Sequence, residues 1–244
     1  MVKSTTVLFR QMYILRSEEN EQVRFKDVFS IIGPAMVGPS SSHTAGAARI
    51  GRTARQLFGE CPSHAEIIMF GSFAATYKGH GTDTAIVGGL LDMDTDDPGL
   101  PEAFAHAETA GMETIIRPGK GLYPHPNTAE LVLTNAAGDR TLDIVGTSIG
   151  GGNIEIVRIN GYNLKLTALY PTLIIRHSDE PGVIAVVTRL LVDSRINIGH
   201  MSVDRKNRRG EAMMVMECDG RIDPAVIKEI ESIPEVQEVN LLCL

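Results

Sequence analysis

The chain has few cysteines and no surplus of positive charge, and both shortages exclude classes of protein. Its 244 residues include three cysteines, Cys61, Cys218 and Cys243. They are odd in number and far apart, so they form neither a disulfide framework nor a CxxC-type metal site. The 23 Lys and Arg residues are outnumbered by 30 Asp and Glu residues, which gives a formal net charge of -7. Proteins that bind nucleic acids concentrate basic residues, so this balance argues against a nucleic-acid partner.

Long apolar runs are also absent. No stretch approaches the roughly 18 apolar residues that a membrane-spanning helix needs, and the N-terminus has no apolar segment followed by a small-residue cleavage site. We therefore expect a cytoplasmic protein with no membrane partner. Hydrophobic residues make up 43% of the chain, enough to bury the core of one large or two ordinary domains.

The sequence divides into a short leader and two predicted domains. Residues 1–24 are mixed and polar, and we expect them to be dispensable. The first domain is predicted over residues 25–169. Tyr170 and Pro171 mark the joint, because proline restricts the residue before it and interrupts regular elements. The second domain is predicted over residues 172–244.

The first domain is predicted to be α+β, because segments with strand character are interspersed with segments of helical spacing. Glycine and proline clusters at residues 118–126 and 150–152 predict turns or loops. The predicted strands lie at residues 65–70, 128–134 and 152–159, and the predicted helices lie at residues 45–58, 83–91 and 100–111.

A dense polar block, SSSHT at residues 40–44, directly precedes the first predicted helix. The N-terminus of a helix carries unpaired backbone N–H groups and the positive end of the helix dipole, and both favour an anion. We interpret the block as a cradle for a carboxylate or phosphate. The simpler alternative is that Ser42 or Thr44 only caps the helix after a turn at Gly38 and Pro39.

Two further polar positions are candidates for a binding or catalytic role. His80 lies between Gly79 and Gly81. The two glycines would let a ligand approach the backbone and would place the imidazole in a loop. An inert surface histidine is the alternative. Asn127 follows His125 in a loop stiffened by prolines, and its amide can donate to one group while accepting from another. A plain Asn-Thr turn is the alternative for Asn127.

The remaining polar positions carry weaker signals. Ser148 and the glycines at 150–152 could form a second anion-binding turn, but they lack GxGxxG spacing, so we predict no dinucleotide cofactor. His64, His106 and His200 have no companion polar block, and none of these histidines forms a pair with the i, i+4 spacing of a helical zinc site. We assign them structural or surface roles and expect no metal in this chain.

Four sequence blocks occur in the order typical of one enzyme family. They are VFSIIGPAMVGPSSSHTAGAARIG at 28–51, GSFA followed by KGHGTD at 71–83, PHPNT at 124–128 and SIGGG at 148–152. Together these blocks resemble the beta chain of the iron-sulfur-dependent, two-subunit L-serine dehydratases, also called L-serine deaminases. The resemblance covers about residues 25–160.

The resemblance implies a fold, an activity and a partner. The fold would be an α+β serine dehydratase beta-type domain, similar to an allosteric-substrate-binding domain. The chain would be a subunit of an L-serine ammonia-lyase, which converts L-serine to pyruvate and ammonia, and it would be inactive alone. A partner alpha chain would hold a 4Fe-4S cluster, since three scattered cysteines cannot. The implied catalytic residues are His43, His80 and Asn127, and the implied substrate-binding residues are Ser40, Ser41, Ser42, Thr44, Lys78, Thr82 and His125.

The second domain is predicted to have the order βαββαβ, a ferredoxin-like split unit. The basic cluster at 205–209 is predicted to be the solvated tip of its hairpin. The predicted strands are 172–176, 197–203, 212–218 and 236–244, and the predicted helices are 183–191 and one that opens at Asp223 and Pro224.

This second domain resembles an ACT domain, a regulatory module that binds amino acids. The resemblance places ligand contacts at His177, Asp179 and Asn197, and it implies homodimerisation through the ACT domain. In serine-binding ACT domains an amide stands at the position of Asp179. A carboxylate only accepts hydrogen bonds and repels a ligand carboxylate, so we predict another ligand or a contact through the ammonium group. A scaffolding ACT pair without a ligand is the alternative.

A second hypothesis for the whole chain is a non-catalytic amino-acid-sensing module. Phosphoglycerate dehydrogenases can carry a domain similar to the first one joined to an ACT domain. Both hypotheses predict binding of a small anion. They differ in the partner, because only the enzyme requires an alpha chain whose cysteines can hold a cluster.

Overall fold

The computed structural model describes residues 34–121, 123, 125–207 and 210–244. The predicted leader and the start of the first family block lie outside these residues. Residues Gly33–Leu244 form one compact unit that contains two sheets. The prediction of an α+β first domain followed by a domain of the order βαββαβ is confirmed. Within the described residues, no helix is long and apolar enough to cross a membrane.

The first domain is built on a six-stranded sheet with the order β2-β1-β3-β4-β5-β6. Strands β1 and β2 are parallel, and the other neighbouring pairs are antiparallel. The strands are β1 (His64–Phe70), β2 (Glu113–Pro118), β3 (Asn127–Thr134), β4 (Thr141–Gly150), β5 (Asn153–Ile159) and β6 (Tyr162–Leu166).

Helices cover one face of this sheet. A π-helical turn, Ser41–Ala45, leads into the first helix, and a 3-10 turn, Leu100–Glu102, leads into the fourth. The helices are α1 (Gly46–Phe58), α2 (Gly71–His80), α3 (Thr82–Leu90) and α4 (Ala103–Thr109).

Helices α1 and α3 pack with their backbones in contact. A Cβ atom at Gly51 would overlap the carbonyl oxygen of Ile86, and one at Gly89 would overlap that of Ala48. Only glycine leaves room for this approach. The contact fixes the start of α1, which carries the polar block, against the α2–α3 corner, which carries His80.

The ACT domain has the predicted βαββαβ order, and its sheet runs β10-β7-β9-β8 with all neighbours antiparallel. Both helices lie on one face, where they bury a core that includes Leu173, Val187 and Met214. The elements are β7 (Thr172–Ser178), α5 (Val183–Asp193), β8 (Ile198–Arg205), β9 (Glu211–Cys218), α6 (Pro224–Glu231) and β10 (Val236–Leu242).

The other face of the ACT sheet packs against the first domain. Side chains alternate along β7, so that Ile175 enters the ACT core while Ile174 joins the core of the first domain. The buried Tyr162 of β6 belongs to the same core. Polar contacts reinforce the junction, since the amide and hydroxyl of Thr167 donate to Glu217 Oε1 at 2.7 and 2.6 Å. The two domains therefore share a continuous apolar core.

Several sequence-based expectations for the first domain need correction. Strands β2, β4 and β6 and helix α2 were not anticipated, and Ser148 lies in β4 and not in a turn. The glycines at 150–152 do form the β4–β5 turn, and all three have positive φ. In the second domain, the basic cluster lies at the tip of the β8–β9 hairpin as predicted, and Arg205, Lys206 and Asn207 are exposed. Arg205 also pairs with Asp179, and Lys206 lies 4.5 Å above the Tyr162 ring.

Candidate functional site

The polar block forms a compact turn at the start of α1. Ser40 has an extended backbone (φ -144°, ψ 123°), and its side-chain oxygen accepts a hydrogen bond from the His43 amide at 3.2 Å. The Thr44 amide donates to the Ser40 carbonyl oxygen at 2.8 Å. Ser40 is therefore the capping residue, and the alternative that Ser42 or Thr44 provides the cap is wrong.

The imidazole of His43 is held between hydroxyl groups. Its Nδ1 lies 3.1 Å from Ser42 Oγ, and its Nε2 lies 3.0 Å from Ser72 Oγ at the start of α2. The edge of the ring packs against Phe73, with ring centroids 5.3 Å apart. Burial, and then the neighbouring His80, lower the pKa of His43 below its ordinary value. The imidazole is therefore neutral at physiological pH and has a lone pair available.

His80 faces His43 from the corner between α2 and α3. The two ring centroids are 5.0 Å apart. His80 is the last residue of α2 and does not lie in the predicted loop, because the helix continues to Gly81, whose φ of 65° ends it. The Thr44 hydroxyl donates to the His80 carbonyl oxygen at 3.4 Å, which ties the corner to the polar block.

An open cavity of about 310 Å³ lies next to this corner. Its lining includes Gly38, Thr44 and His80. A Cβ atom at Gly79 or Gly81 would meet no protein atom within 4 Å, so the backbone on this side of His80 is accessible. The predicted approach of a ligand to these glycines is therefore sterically possible.

The loop before β3 supports the residue that contacts His43. The Asn127 amide donates to His125 Nδ1 at 3.2 Å, and Asn127 pairs with Gly71 in an isolated β-bridge. The carbonyl oxygen of Pro126 accepts a hydrogen bond from the Ser72 amide at 2.7 Å. Gly71 has a φ of 56°, and a Cβ atom there would overlap Pro126. This loop thus fixes the N-terminus of α2 and the position of the Ser72 hydroxyl.

The structure brings together only part of the predicted site. His43 contacts His80, Ser40 and Ser42, and Asn127 forms a β-bridge with Gly71, the residue before Ser72. Lys78 is exposed, with its Nζ 5.8 Å from the centre of the Tyr77 ring, and Thr82 is fully buried. Their assignment to substrate binding stays a prediction.

Ser72 is the site residue that the sequence reasoning missed. It lies in the GSFA block, which was recognised as part of the family pattern but received no role. Its contact with His43 spans 29 positions of the chain. A serine directly after a buried strand, at the start of a helix, is the signal that was present.

The predicted ACT ligand residues already have partners within the chain. His177 is 2% exposed, and its Nδ1 donates to the Ser178 carbonyl oxygen at 2.8 Å, while no partner of its Nε2 is found among the described residues. The Asp179 carboxylate accepts a hydrogen bond from Arg205 at 3.1 Å. Asn197 donates to the Asp219 carboxylate at 2.7 Å. A ligand at this loop would have to compete with these contacts.

The described residues contain no group of three or more His, Cys, Asp or Glu side chains that could hold a metal ion. Two of the cysteines, Cys61 and Cys243, are exposed, and Cys218 is buried in the ACT core. This part of the chain therefore does not fit an iron-sulfur cluster.

Comparison with known proteins gives two family models and several relatives. Residues 25–113 match the serine dehydratase beta chain model, and residues 171–235 match the ACT domain model. A probable L-serine dehydratase beta chain from Bacillus subtilis is 46% identical over 218 residues, which cover 89% of this chain and 98% of that one. An L-serine dehydratase beta chain from Peptoniphilus asaccharolyticus is 37% identical over 78% of this chain and 86% of that one.

A partial relative also matches. A D-3-phosphoglycerate dehydrogenase from Bacillus subtilis is 37% identical over 117 residues, which cover 46% of this chain and 22% of the dehydrogenase. This match is local, whereas the dehydratase beta chains match over nearly their whole length. The chain belongs to the L-serine dehydratase beta chain family.

Proposed function

We propose that this chain is the beta subunit of an L-serine ammonia-lyase, which converts L-serine to pyruvate and ammonia. The observation that carries the proposal is the position of the His43 imidazole, which lies within hydrogen-bond distance of Ser42 and Ser72 at the start of a helix beside an open cavity. Elimination of water from serine requires a group that accepts the proton at the α carbon and a clamp for the carboxylate. The polar block supplies candidates for both tasks.

The clamp is assigned to the start of α1. Hydroxyl groups and backbone N–H groups at a helix N-terminus stabilise a carboxylate, and a charged acceptor strengthens each hydrogen bond. We assign this role to Ser40, Ser41, Ser42 and Thr44. The exposed Lys78 and the half-buried His125 are proposed to contact the substrate from the rim of the site, and Thr82 is proposed to support the rim from below.

Proton transfer is assigned to the two histidines. His43 is neutral because burial and His80 lower its pKa, so one ring nitrogen is free of a proton and can accept one. His80, 5.0 Å away between ring centroids, is proposed to exchange protons with the substrate or with solvent. Asn127 is proposed to orient the substrate next to Ser72.

The 4Fe-4S cluster of the enzyme is placed on a partner alpha chain. This assignment follows from the separation of the three cysteines in this chain. We therefore expect the isolated chain to be colourless and to lack dehydratase activity. Serine turnover is expected only after anaerobic reconstitution with an alpha chain.

The test is to assay pyruvate formation by the chain alone and after mixing with the alpha chain, with ultraviolet-visible spectra of both. Pyruvate and a brown colour from the chain alone would overturn the assignment of the cluster to the partner. Amino-acid binding without turnover in the reconstituted mixture would favour the alternative, a sensing module like that of the phosphoglycerate dehydrogenases.

We also propose that a second copy of the chain pairs with the ACT domain along β8. This strand is an edge of its sheet, and it exposes 42% of both Met201 and Val203. The neighbouring helix α5 exposes Ile184 and Val186. Edge strands with apolar side chains favour pairing with a second sheet. Val203→Lys should lower the mass measured by sedimentation, and an unchanged mass would contradict pairing at this edge.

The loop after β7 in the ACT domain is proposed to bind a regulatory amino acid. An amino acid there would contact His177 and Asn197, with Asp179 facing its ammonium group. Because Asp179 is paired with Arg205, binding would require the two to separate. Asp179→Asn should therefore change the affinity or identity of the effector, as measured by calorimetry on the full chain.

A further inference from the structure

A second cavity, of about 390 Å³, lies at the junction of the two domains. The end of α1 and the β3–β4 and β5–β6 hairpins line it from the first domain. Strands β7, β9 and β10 line it from the ACT domain. Both domains therefore contribute to its walls, and the cavity exists only while the ACT sheet is docked. It lies apart from the His43 site and is not part of the proposed function.

One guanidinium in this cavity has no carboxylate partner within the part of the chain that the structure describes. Arg140 lies 5.4 Å above the ring of Phe58, and no ion pair joins it to another described residue. The second arginine of the cavity, Arg176, is already neutralised by Glu211 and Glu238 at 3.4 and 3.3 Å. Arg140 is thus the cation that remains available for an added anion.

Carboxylates face the same space. Asp139 lines the cavity and accepts a hydrogen bond from the neutral amide of Asn135 at 2.8 Å, without a basic partner among the described residues. Glu238 also lines it and shares Arg176 with Glu211. The two arginines and two acids of the lining give no net charge. Asp139 and Arg140 are both exposed at the mouth of the cavity, so a zwitterion could make one charge-assisted contact with each of them, whereas a simple anion could use only Arg140.

The floor of the cavity is apolar. Leu57, Ile174 and Met213 line it and belong to the shared core of the two domains. These three side chains are at most 6% exposed, so a ligand side chain would contact them over a small area and gain a correspondingly modest hydrophobic stabilisation. Among the described residues, the lining therefore combines a cation and an acid that have no ion-pair partner with apolar side chains at the floor, and these three features suit an α-amino acid with an apolar side chain.

We propose that this interdomain cavity binds a free α-amino acid with an apolar side chain. Its carboxylate pairs with Arg140, its ammonium group faces Asp139 and Glu238, and its side chain packs on Leu57 and Met213. The site differs from the predicted ACT loop site, because Ile174 and Arg176 of β7 line the cavity while His177 points to the opposite face of the sheet. Since both domains contribute contacts, the ligand stabilises the docked arrangement by mass action.

The test is calorimetric titration of the full chain, without an alpha chain, using leucine as the first probe. Its analogues 4-methylpentanoate, which lacks the ammonium group, and 3-methylbutylamine, which lacks the carboxylate, are titrated in parallel. We expect leucine to bind and to raise the melting temperature of the chain. Each analogue should bind at least about tenfold more weakly than leucine, because it loses one charge-assisted contact. Because no turnover is measured, failure here leaves the dehydratase proposal untouched.

Variants locate the site. Arg140→Gln should weaken leucine binding at least about tenfold, Arg140→Lys should weaken it less, and Asp139→Asn should weaken leucine but not 4-methylpentanoate. Arg221→Gln, at an exposed arginine outside the cavity, is the matched control and should leave binding unchanged. Melting curves confirm that each variant is folded, and Arg140→Lys keeps the test decisive if Arg140→Gln does not fold.

Three results of the ligand titrations and the Arg140 variants would overturn the inference. The first is that leucine, methionine and phenylalanine give neither heat nor thermal stabilisation at millimolar concentration. The second is that leucine and 4-methylpentanoate bind with equal affinity. The third is that Arg140→Gln and Arg140→Lys leave the affinity for leucine unchanged. Loss of binding in Asp179→Asn with retention in Arg140→Gln would move the ligand to the ACT loop and would also overturn it.

Discussion

The docking of the ACT sheet on the first domain makes Tyr162 a sensitive position. Tyr162 is 1% exposed and lies in the shared core, with Lys206 4.5 Å above its ring. Its hydroxyl lies 3.5 Å from Glu211 of the ACT domain. Removing a buried aromatic side chain costs about 3–5 kcal/mol, because hydrophobic transfer energy is lost and a cavity remains. We therefore expect Tyr162→Ala to lower the free energy of unfolding by that amount.

Two controls separate the ring from its hydroxyl and from general effects of tyrosine loss. Tyr162→Phe keeps the ring and loses one long hydrogen bond, so a loss of less than about 1.5 kcal/mol is expected. Tyr170→Ala, at a residue that is 43% exposed, should cost less than about 1 kcal/mol.

The assay is urea unfolding of the full chain followed by far-ultraviolet circular dichroism. The shared core predicts a single unfolding transition in the unmodified chain. If one domain unfolded alone, the apolar residues that the other domain buries against it would become exposed to water. A loss below about 1 kcal/mol for Tyr162→Ala, or two separate transitions in the unmodified chain, would refute the docked arrangement.

Two further predictions concern α1 and its site. Gly51→Ala should destabilise the chain by about 1–3 kcal/mol, because the new methyl group overlaps a backbone carbonyl of α3. Gly79→Ala, in open space on α2, is the control and should be neutral or stabilising. Thermal melts measure both effects. His43 should titrate below its ordinary pKa in NMR, and His80→Ala should raise that pKa because the electrostatic effect of His80, which lowers it, is removed. Since folding lowers the pKa of His43, its protonation favours the unfolded chain, so this residue's contribution to stability should fall as the pH drops below about 6.5. An unshifted His43 titration would contradict the burial described for it.

The sequence predicted elements well where the apolar spacing was regular. Helix α1 and strands β1, β3 and β5 lie within a few residues of their predicted bounds, as do the elements of the ACT domain. Strand β4 was missed because two glycines and a run of small residues hide its alternation. Strand β6 was missed because it has only five residues, and α2 because its sequence contains two glycines and ends in a polar stretch.

The shared core was harder to predict, although a signal was present. The run AMMVM in β9 is apolar at every position, which is typical of a strand covered on both faces. Periodicity alone does not say what covers the second face. The sequence predicted the part of the site that lies within one short segment, residues 40–44. The contact of His43 with Ser72 joins segments that are distant in the sequence, and it depends on how the loop before β3 holds α2.

The most direct test of a catalytic role for His43 is serine turnover by the chain reconstituted anaerobically with an alpha chain, compared between His43→Ala and the unmodified protein. The exposed His106 on α4 provides the matched control, His106→Ala. We predict a fall in kcat of about 100-fold or more for His43→Ala, with assembly intact and with His106→Ala unaffected, because a positioned proton acceptor is lost. A kcat for His43→Ala close to that of the unmodified complex would show that His43 does not take part in catalysis.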